Sequence, residues 1–181
     1  MWHAVKTTVP PQSEPLALAE VKAHTYVDQP DDDTKIEMLI SAVRDHVERY
    51  CNLKLVPQTV EAKCDSFSDL CWLPFGPAQS VTSIGYIDAA GEPQTVDPTV
   101  YEMCADDFDA SITLLPGKSW PARLAGSRIT VTAVVGYGTV PPAIKQALLL
   151  LAALGFRDRE AQDVGGFSTA DALLCNFRRH S

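Results

Sequence analysis

VPPAIKQALLLLAALGFRDRE, the stretch Val140–Glu160, sets the terms for the rest of the chain. The pair Pro141–Pro142 suits a helix start, because first-turn N–H groups have no partner inside the helix and proline has none to lose. From Ala147 to Leu154 the sequence is then wholly apolar. A helix that is apolar all round must be covered on several sides, by a core, a membrane or neighbouring chains. The run is too short for a membrane span, which takes roughly 20 residues, and Lys145 and Arg157 stand at its ends. It reads as a packing helix that meets other copies of the chain, with Leu148, Leu150, Leu151 and Leu154 as candidate subunit-contact residues. That points to an assembly protein.

Residues 1–15 hold Pro10, Pro11 and Pro15 with little periodicity, and read as an extended arm. A short helix is expected over Leu18–His24, with Leu18 and Val21 on one face. An acidic run, Asp31–Asp33, then precedes a second helix, where an Asp can cap the first turn and favour its positive end. Ile36, Leu39, Ile40, Val43, Val47 and Tyr50 follow the i, i+3, i+4, i+7 rhythm of one buried stripe. Lys35, Glu37, Arg44, Asp45, Glu48 and Arg49 take the other faces. Asn52 tolerates the left-handed conformation that ends helices.

From Pro57 to about Gly138 the period changes. Thr59–Asp65, Val81–Ile87, Val100–Cys104, Ser111–Leu115 and Arg128–Val135 read as strands. In the last, Ile129, Val131, Ala133 and Val135 alternate with Arg128, Thr130 and Thr132, the pattern of a half-buried strand. Asp88–Pro93 is a turn between strands. After Glu160, Gly165–Gly166 marks a mobile linker, and Asp171–Arg179 sets Leu173, Leu174 and Phe177 at helical spacing before Arg178 and Arg179. Such a tethered peptide either orders on docking to a partner or folds back on its own domain; both readings stand. On the first, deleting everything after Gly166 leaves the fold intact but weakens binding to that partner.

Blocks of helices, strands and helices in that order argue for an α+β fold, since a parallel sheet would need the two in alternation. The expected architecture is a helical body formed by the N- and C-terminal helices, with an inserted antiparallel β region. Residues 1–56 supply the arm and two helices, 57–139 the β insertion, 140–160 the apolar helix that completes the body, and 161–181 a flexible tail with a short docking segment.

The 181 residues allow one ordinary domain or two small ones, and 46% hydrophobic content is enough for a core. The net charge of −8 makes the chain a poor candidate for gripping phosphates, where Lys and Arg supply the attraction. Only residues 140–181, with 5 basic and 4 acidic groups, lack the acidic excess. Five cysteines (Cys51, Cys64, Cys71, Cys104, Cys175) are odd in number and show no C-x-x-C spacing. MWHAVKTTVPP has no signal-peptide apolar region, so free thiols in a reducing cytoplasm are expected.

Candidate chemistry is thin. Cys51 and His46 stand five positions apart on one helix beside Asp45, on different azimuths, which is a poor nucleophile–base pair. Cys51 is expected in the core and His46 on the surface. Asp106, Asp107 and Asp109 lack the spacing and distal Glu of a calcium loop and read as a solvated turn. Gly136 and Gly138 lack the third glycine and following strand of a dinucleotide fingerprint and are expected to turn the backbone. Trp72 and Trp120 either anchor an interface or cover the ends of the sheet. No catalytic, cofactor or metal residue is assigned.

Several blocks, taken in order, carry a family likeness: EPLALAEVKAH at Glu14–His24, DDDTKIEMLISAVRDHVERYCNLKLVPQT at Asp31–Thr59, LPFGPAQSVTSIGYIDAAGE at Leu73–Glu92, SWPA at Ser119–Ala122, and ITVTAVVGYGTVPPAIKQALLLLAALGFRDREA at Ile129–Ala161. Through them the chain resembles the head–tail connector (adaptor) proteins of tailed bacteriophages, the longer group with a β insertion. Ala17 departs from the pattern, standing where members commonly place a capping Ser or Thr. The resemblance implies a structural virion protein, assembled in the bacterial host cytoplasm and placed at the head–tail junction. It implies a ring of about twelve copies that binds the portal, extends the DNA channel and offers a platform to the tail or next head-completion protein. DNA would pass without specific binding, no membrane is involved, and the free chain can stay monomeric until it meets the portal. The family has no catalytic residues to carry over. The competing readings are a small cytosolic α+β enzyme or ligand-binding domain, and an oligomeric scaffold unconnected with a virus. The lack of a convergent titratable cluster weighs against the enzyme.

Overall fold

The computed structural model describes residues 1–27, 29–157 and 168–179. They form an α+β protein of two compact units, Met1–Gln12 with Pro57–Tyr137, and Ser13–Val56 with Gly138–His180.

The first unit is built on the expected alternation. Strand β1 is Lys6–Val9, β2 Gln58–Cys64, β3 Ala78–Ile87, β4 Pro93–Thr95, β5 Tyr101–Asp106, β6 Asp109–Leu114 and β7 Ile129–Val135. Five of them make an antiparallel sheet in the order β1-β2-β7-β3-β4, and β5 and β6 form a separate hairpin. On the central strand, Ile129, Val131, Ala133 and Val135 are all fully buried. The register sets Cys64, Ala62 and Val60 of β2 opposite the first three, so one face of the sheet is continuous apolar surface. The hairpin closes it with Tyr101, Ala110 and Ile112, and a 3-10 turn at Phe67–Cys71 adds Phe67 and Leu70. Trp120 stacks on Phe67 with ring centroids 4.8 Å apart and lies 6.3 Å from Tyr101. Trp120 thus covers the sheet's core, the second of the two roles expected for it.

The N-terminal arm joins this unit and not the helical one. β1 pairs with β2, Lys6 opposite Glu61. The indole N–H of Trp2 donates to the carbonyls of Trp72 at 2.7 Å and Asp69 at 3.0 Å, and its ring meets Phe75 edge-on. Neither β1 nor β4 was expected. Both are short, fully exposed edge strands whose order comes from the unpaired backbone groups of the strand beside them, a cause with no trace in hydrophobic pattern.

The second unit is helical: α1 is Leu18–Thr25, α2 Asp33–Cys51, α3 Pro142–Arg157 and α4 Thr169–Leu174. α3 packs against the other three. From α2 come Ile36, Ile40, Val47 and Cys51, from α3 Ile144, Ala147, Leu148 and Ala152, all buried. Asn52 ends α2 in the left-handed conformation, φ 54°. Gly155 allows close approach of the two helices, because a Cβ there would stand 3.2 Å from Leu39 Cδ2.

Glu48 is a correction. Placed by periodicity on a solvent face, it is only 4% exposed. Its carboxylate accepts the backbone N–H of Leu55 at 3.0 Å and the Lys54 ammonium at 3.0 Å, with Arg44 at 4.0 Å. The chain that follows α2 turns back over Glu48 and supplies partners for the charge, which is the condition for burying one. At the start of α1, Ala17 cannot cap, and the reciprocal half of a capping box survives alone: Glu20 Oε2 accepts the Ala17 N–H at 2.9 Å. Glu20 also takes the Lys145 ammonium at 2.5 Å, tying α1 to α3.

Two outcomes follow for the helical unit. Glu48→Ala strands the Leu55 N–H and the Lys54 charge and is expected to cost about 2 kcal/mol in urea unfolding; Glu48→Gln, which keeps an acceptor, is expected to cost less. The hydrogen bond from Lys145 holds the Glu20 carboxyl below its ordinary 4.5. A folded pKa below the unfolded one stabilises above the unfolded value, and that stability is lost as pH falls through the folded pKa. Glu20→Gln is therefore expected to be less stable than the parent at neutral pH, by at most about 1 kcal/mol for so exposed a pair, with the gap closing on acidification below the ordinary carboxylate range.

Candidate functional site

The residues weighed for chemistry stay apart or inert. Cys51 is buried, and desolvation pushes its thiol up to about 11, so the nucleophilic thiolate is absent near neutrality. His46 lies exposed with its ring against Tyr50, centroids 6.2 Å apart. Asp106, Asp107 and Asp109 sit at the β5–β6 turn, Asp107 at φ 42°. Among the described residues no group of three or more His, Cys, Asp or Glu could hold a metal. Gly136 turns the backbone at φ 112°, its N–H given to Pro77 O and its carbonyl taken by Gln79, each at 2.8 Å. Those backbone groups are spent inside the fold and do not cradle a phosphate.

The apolar helix α3 divides its leucines. Leu148, 1% exposed, is consumed by the core of its own unit and drops out of any contact surface. Leu150, Leu151 and Leu154 remain half-exposed. With Ala153, Phe156 and Arg157 they form one wall of a groove of about 550 Å³; Thr25 from the end of α1 and Ser168, Thr169 and Ala170 from the start of α4 form the other. Lys35 holds its ammonium 4.6 Å above the Phe156 ring, a cation–π contact at the rim. The groove is thus an apolar strip with polar groups and a cation at its rim. No described helix is long and apolar enough to cross a membrane.

The second wall was not foreseen, although a signal for it was present. Ser168 and Asp171 make a reciprocal cap, with Ser168 Oγ accepting the Asp171 N–H at 3.1 Å and Asp171 accepting the Ser168 N–H at 2.8 Å. The spacing S-x-x-D ahead of an apolar run is a helix start. The segment that follows folds back on its own unit: Leu174 is 1% exposed, Arg179 is buried, and its N–H donates to Cys51 O at 2.8 Å. Of the five docking candidates, Leu173 and Phe177 are half-exposed and Arg178 is exposed, 4.9 Å above the Tyr50 ring. The linker expected about Gly165–Gly166 lies outside the described residues.

The sequence model of the family described as "HCP: Head completion protein" matches residues 16–167. No curated protein matches the chain. Among solved structures, the chain is similar to one in the neck of an empty GTA particle computed with C6 symmetry and to one in the virion of the native gene transfer agent (GTA) particle. Each has a TM-score of 0.82 at 20% identity, over 99% of this chain and 97% of that one. A chain in the neck of the native GTA particle computed with C12 symmetry scores 0.73 at 19% identity over the same shares. At that identity the likeness establishes the fold.

The division of the leucines is testable. Leu148→Ala is expected to destabilise the fold by about 2–5 kcal/mol, as for a buried leucine. Leu151→Asp, on the groove, is expected to cost about 1 kcal/mol in unfolding while sharply reducing incorporation into particles. Equal incorporation of Leu151→Asp and the parent would remove the groove from assembly.

Proposed function

This chain belongs to the head completion protein family, and we propose that it is a structural subunit of the ring that joins a phage-type head to its tail. What carries the reading is the apolar face of α3, Leu150, Leu151 and Leu154, left half-exposed after the unit's own core has been filled. A neighbouring copy covers that face, and a head-to-tail contact repeated around an axis closes a ring. The C12 symmetry of the neck that holds a similar chain supports a copy number of about twelve. The ring meets the portal on one side, with Leu173, Phe177 and Arg178 as the contact, and a tail or further head-completion protein on the other. It forms in the host cytoplasm as particles mature. DNA crosses it without specific binding, because a chain of net charge −8 offers phosphates little to hold. The subunit makes and breaks no bonds.

A ligand-binding reading draws on one observation: a groove of about 550 Å³ lies within the size range of small-molecule sites. Its lining is mostly aliphatic with few convergent polar groups, which suits a protein surface better than an oriented ligand.

Deletion of the gene tests the reading. Heads filled with DNA but lacking tails are expected, with infectivity restored by the parent chain supplied in trans and not by Leu151→Asp. Complete, infectious particles without the chain would overturn it.

A further inference from the structure

The β unit is a slab with unlike chemistry on its two outer sides. On one side, the hairpin sends Tyr101, Ala110 and Ile112 inward. The alternate residues therefore face out: Glu102 opposite Thr113, Cys104 opposite Ser111, and Asp106 opposite Asp109, with Asp107 at the tip. No Lys or Arg occurs between Tyr101 and Leu114. Asp106 and Asp109 set two carboxylates side by side at the end of the ladder.

On the far side lies the outer face of the five-stranded sheet. Its rows run Lys6–Glu61–Thr132–Ser83 and Lys63–Thr130–Gly85. The hairpin and the Phe67–Cys71 turn bury the opposite, apolar face, and Thr130, Thr132 and Ser83 are half-exposed at the centre of this one. Lys6, Lys63 and Arg128 are exposed on it. Glu61, 3.7 Å from Lys63, is the acid within the rows, and Asp65 stands at the rim near Arg128. In a chain of net charge −8, a face where bases outnumber acids is out of character.

We propose that this half-exposed sheet face docks the β5–β6 hairpin of a second copy of the chain. The two surfaces are complementary in charge, and hydroxyls meet across them, Ser111 and Thr113 against Thr130 and Thr132. They lie on opposite sides of one slab, so each copy receives one neighbour and reaches the next. That is a heterologous contact, the kind that closes into rings, and it does not terminate at a dimer. Exposed charges of this sort set register and speed of encounter more than affinity, and salt screens them. The inference rests on the ring reading and adds a second contact to the α3 groove.

Charge exchange tests it. One variant carries Glu102→Lys with Asp106→Lys, the other Lys63→Glu with Arg128→Glu; all four positions are exposed. Rings formed on portal-bearing heads that lack the chain are counted by electron microscopy. Each variant alone is expected to give at least tenfold fewer rings than the parent. An equal mixture is expected to restore them, because each hairpin then finds a sheet face of opposite sign. Unchanged thermal melting checks that both fold; should the reversed hairpin not fold, Glu102→Gln with Asp106→Asn takes its place, with intermediate ring numbers expected. Parental ring numbers from either variant alone, or failure of the mixture to recover, would overturn this contact and leave the ring reading standing. Absence of rings with the parent chain would overturn the ring reading itself.

Discussion

The helix α3 carries more apolar surface than the described residues of its own unit cover. Ile144, Ala147, Leu148 and Ala152 fill the space between α1, α2 and α4, and a Cβ at residue 155 would press on Leu39 at 3.2 Å. The leucines one step round the helix, Leu150, Leu151 and Leu154, stay half-exposed among the described residues. Apolar surface left in water costs about 25 cal/mol for each Å², and in the ring proposed above a neighbouring copy covers this row. The polar ties of the same unit, Lys145 to Glu20 and Glu48 to the chain after α2, fix the frame on which that row is displayed.

The β unit answers a different constraint. Its sheet has one apolar face, and the hairpin with the aromatic stack of Phe67, Trp120 and Tyr101 is what buries it. Burying one face leaves a second face of threonines and bases and an acidic back to the hairpin. In the ring proposed above, charge on these faces governs register and apolar area supplies affinity.

Much of this was legible in the chain. The alternation at Ile129–Val135 placed the central strand and its inward side, and the stripe from Ile36 to Tyr50 placed α2, because in both cases a single period decides which face is wet. Asn52 was readable as a helix terminator for a conformational reason. What escaped was whatever depends on a partner outside the element itself. Glu48 looks like a surface residue until Lys54 and the Leu55 N–H turn back over it. β1 and β4 exist because β2 and β3 have free edges. Leu148 and Leu151 are chemically the same residue, and only the placement of α2 and α4 decides that one is core and the other surface. The groove's second wall was hidden for the same reason, although the Ser168–Asp171 spacing announced the helix that forms it.

The central claim is that a second copy of this chain covers the leucine row of α3. A photo-reactive residue placed at position 151, irradiated in assembled particles, tests it most directly. The account predicts a covalent product of twice the chain's mass in which both halves are this polypeptide. Linkage to a different protein alone, or none in particles that contain the chain, would contradict it.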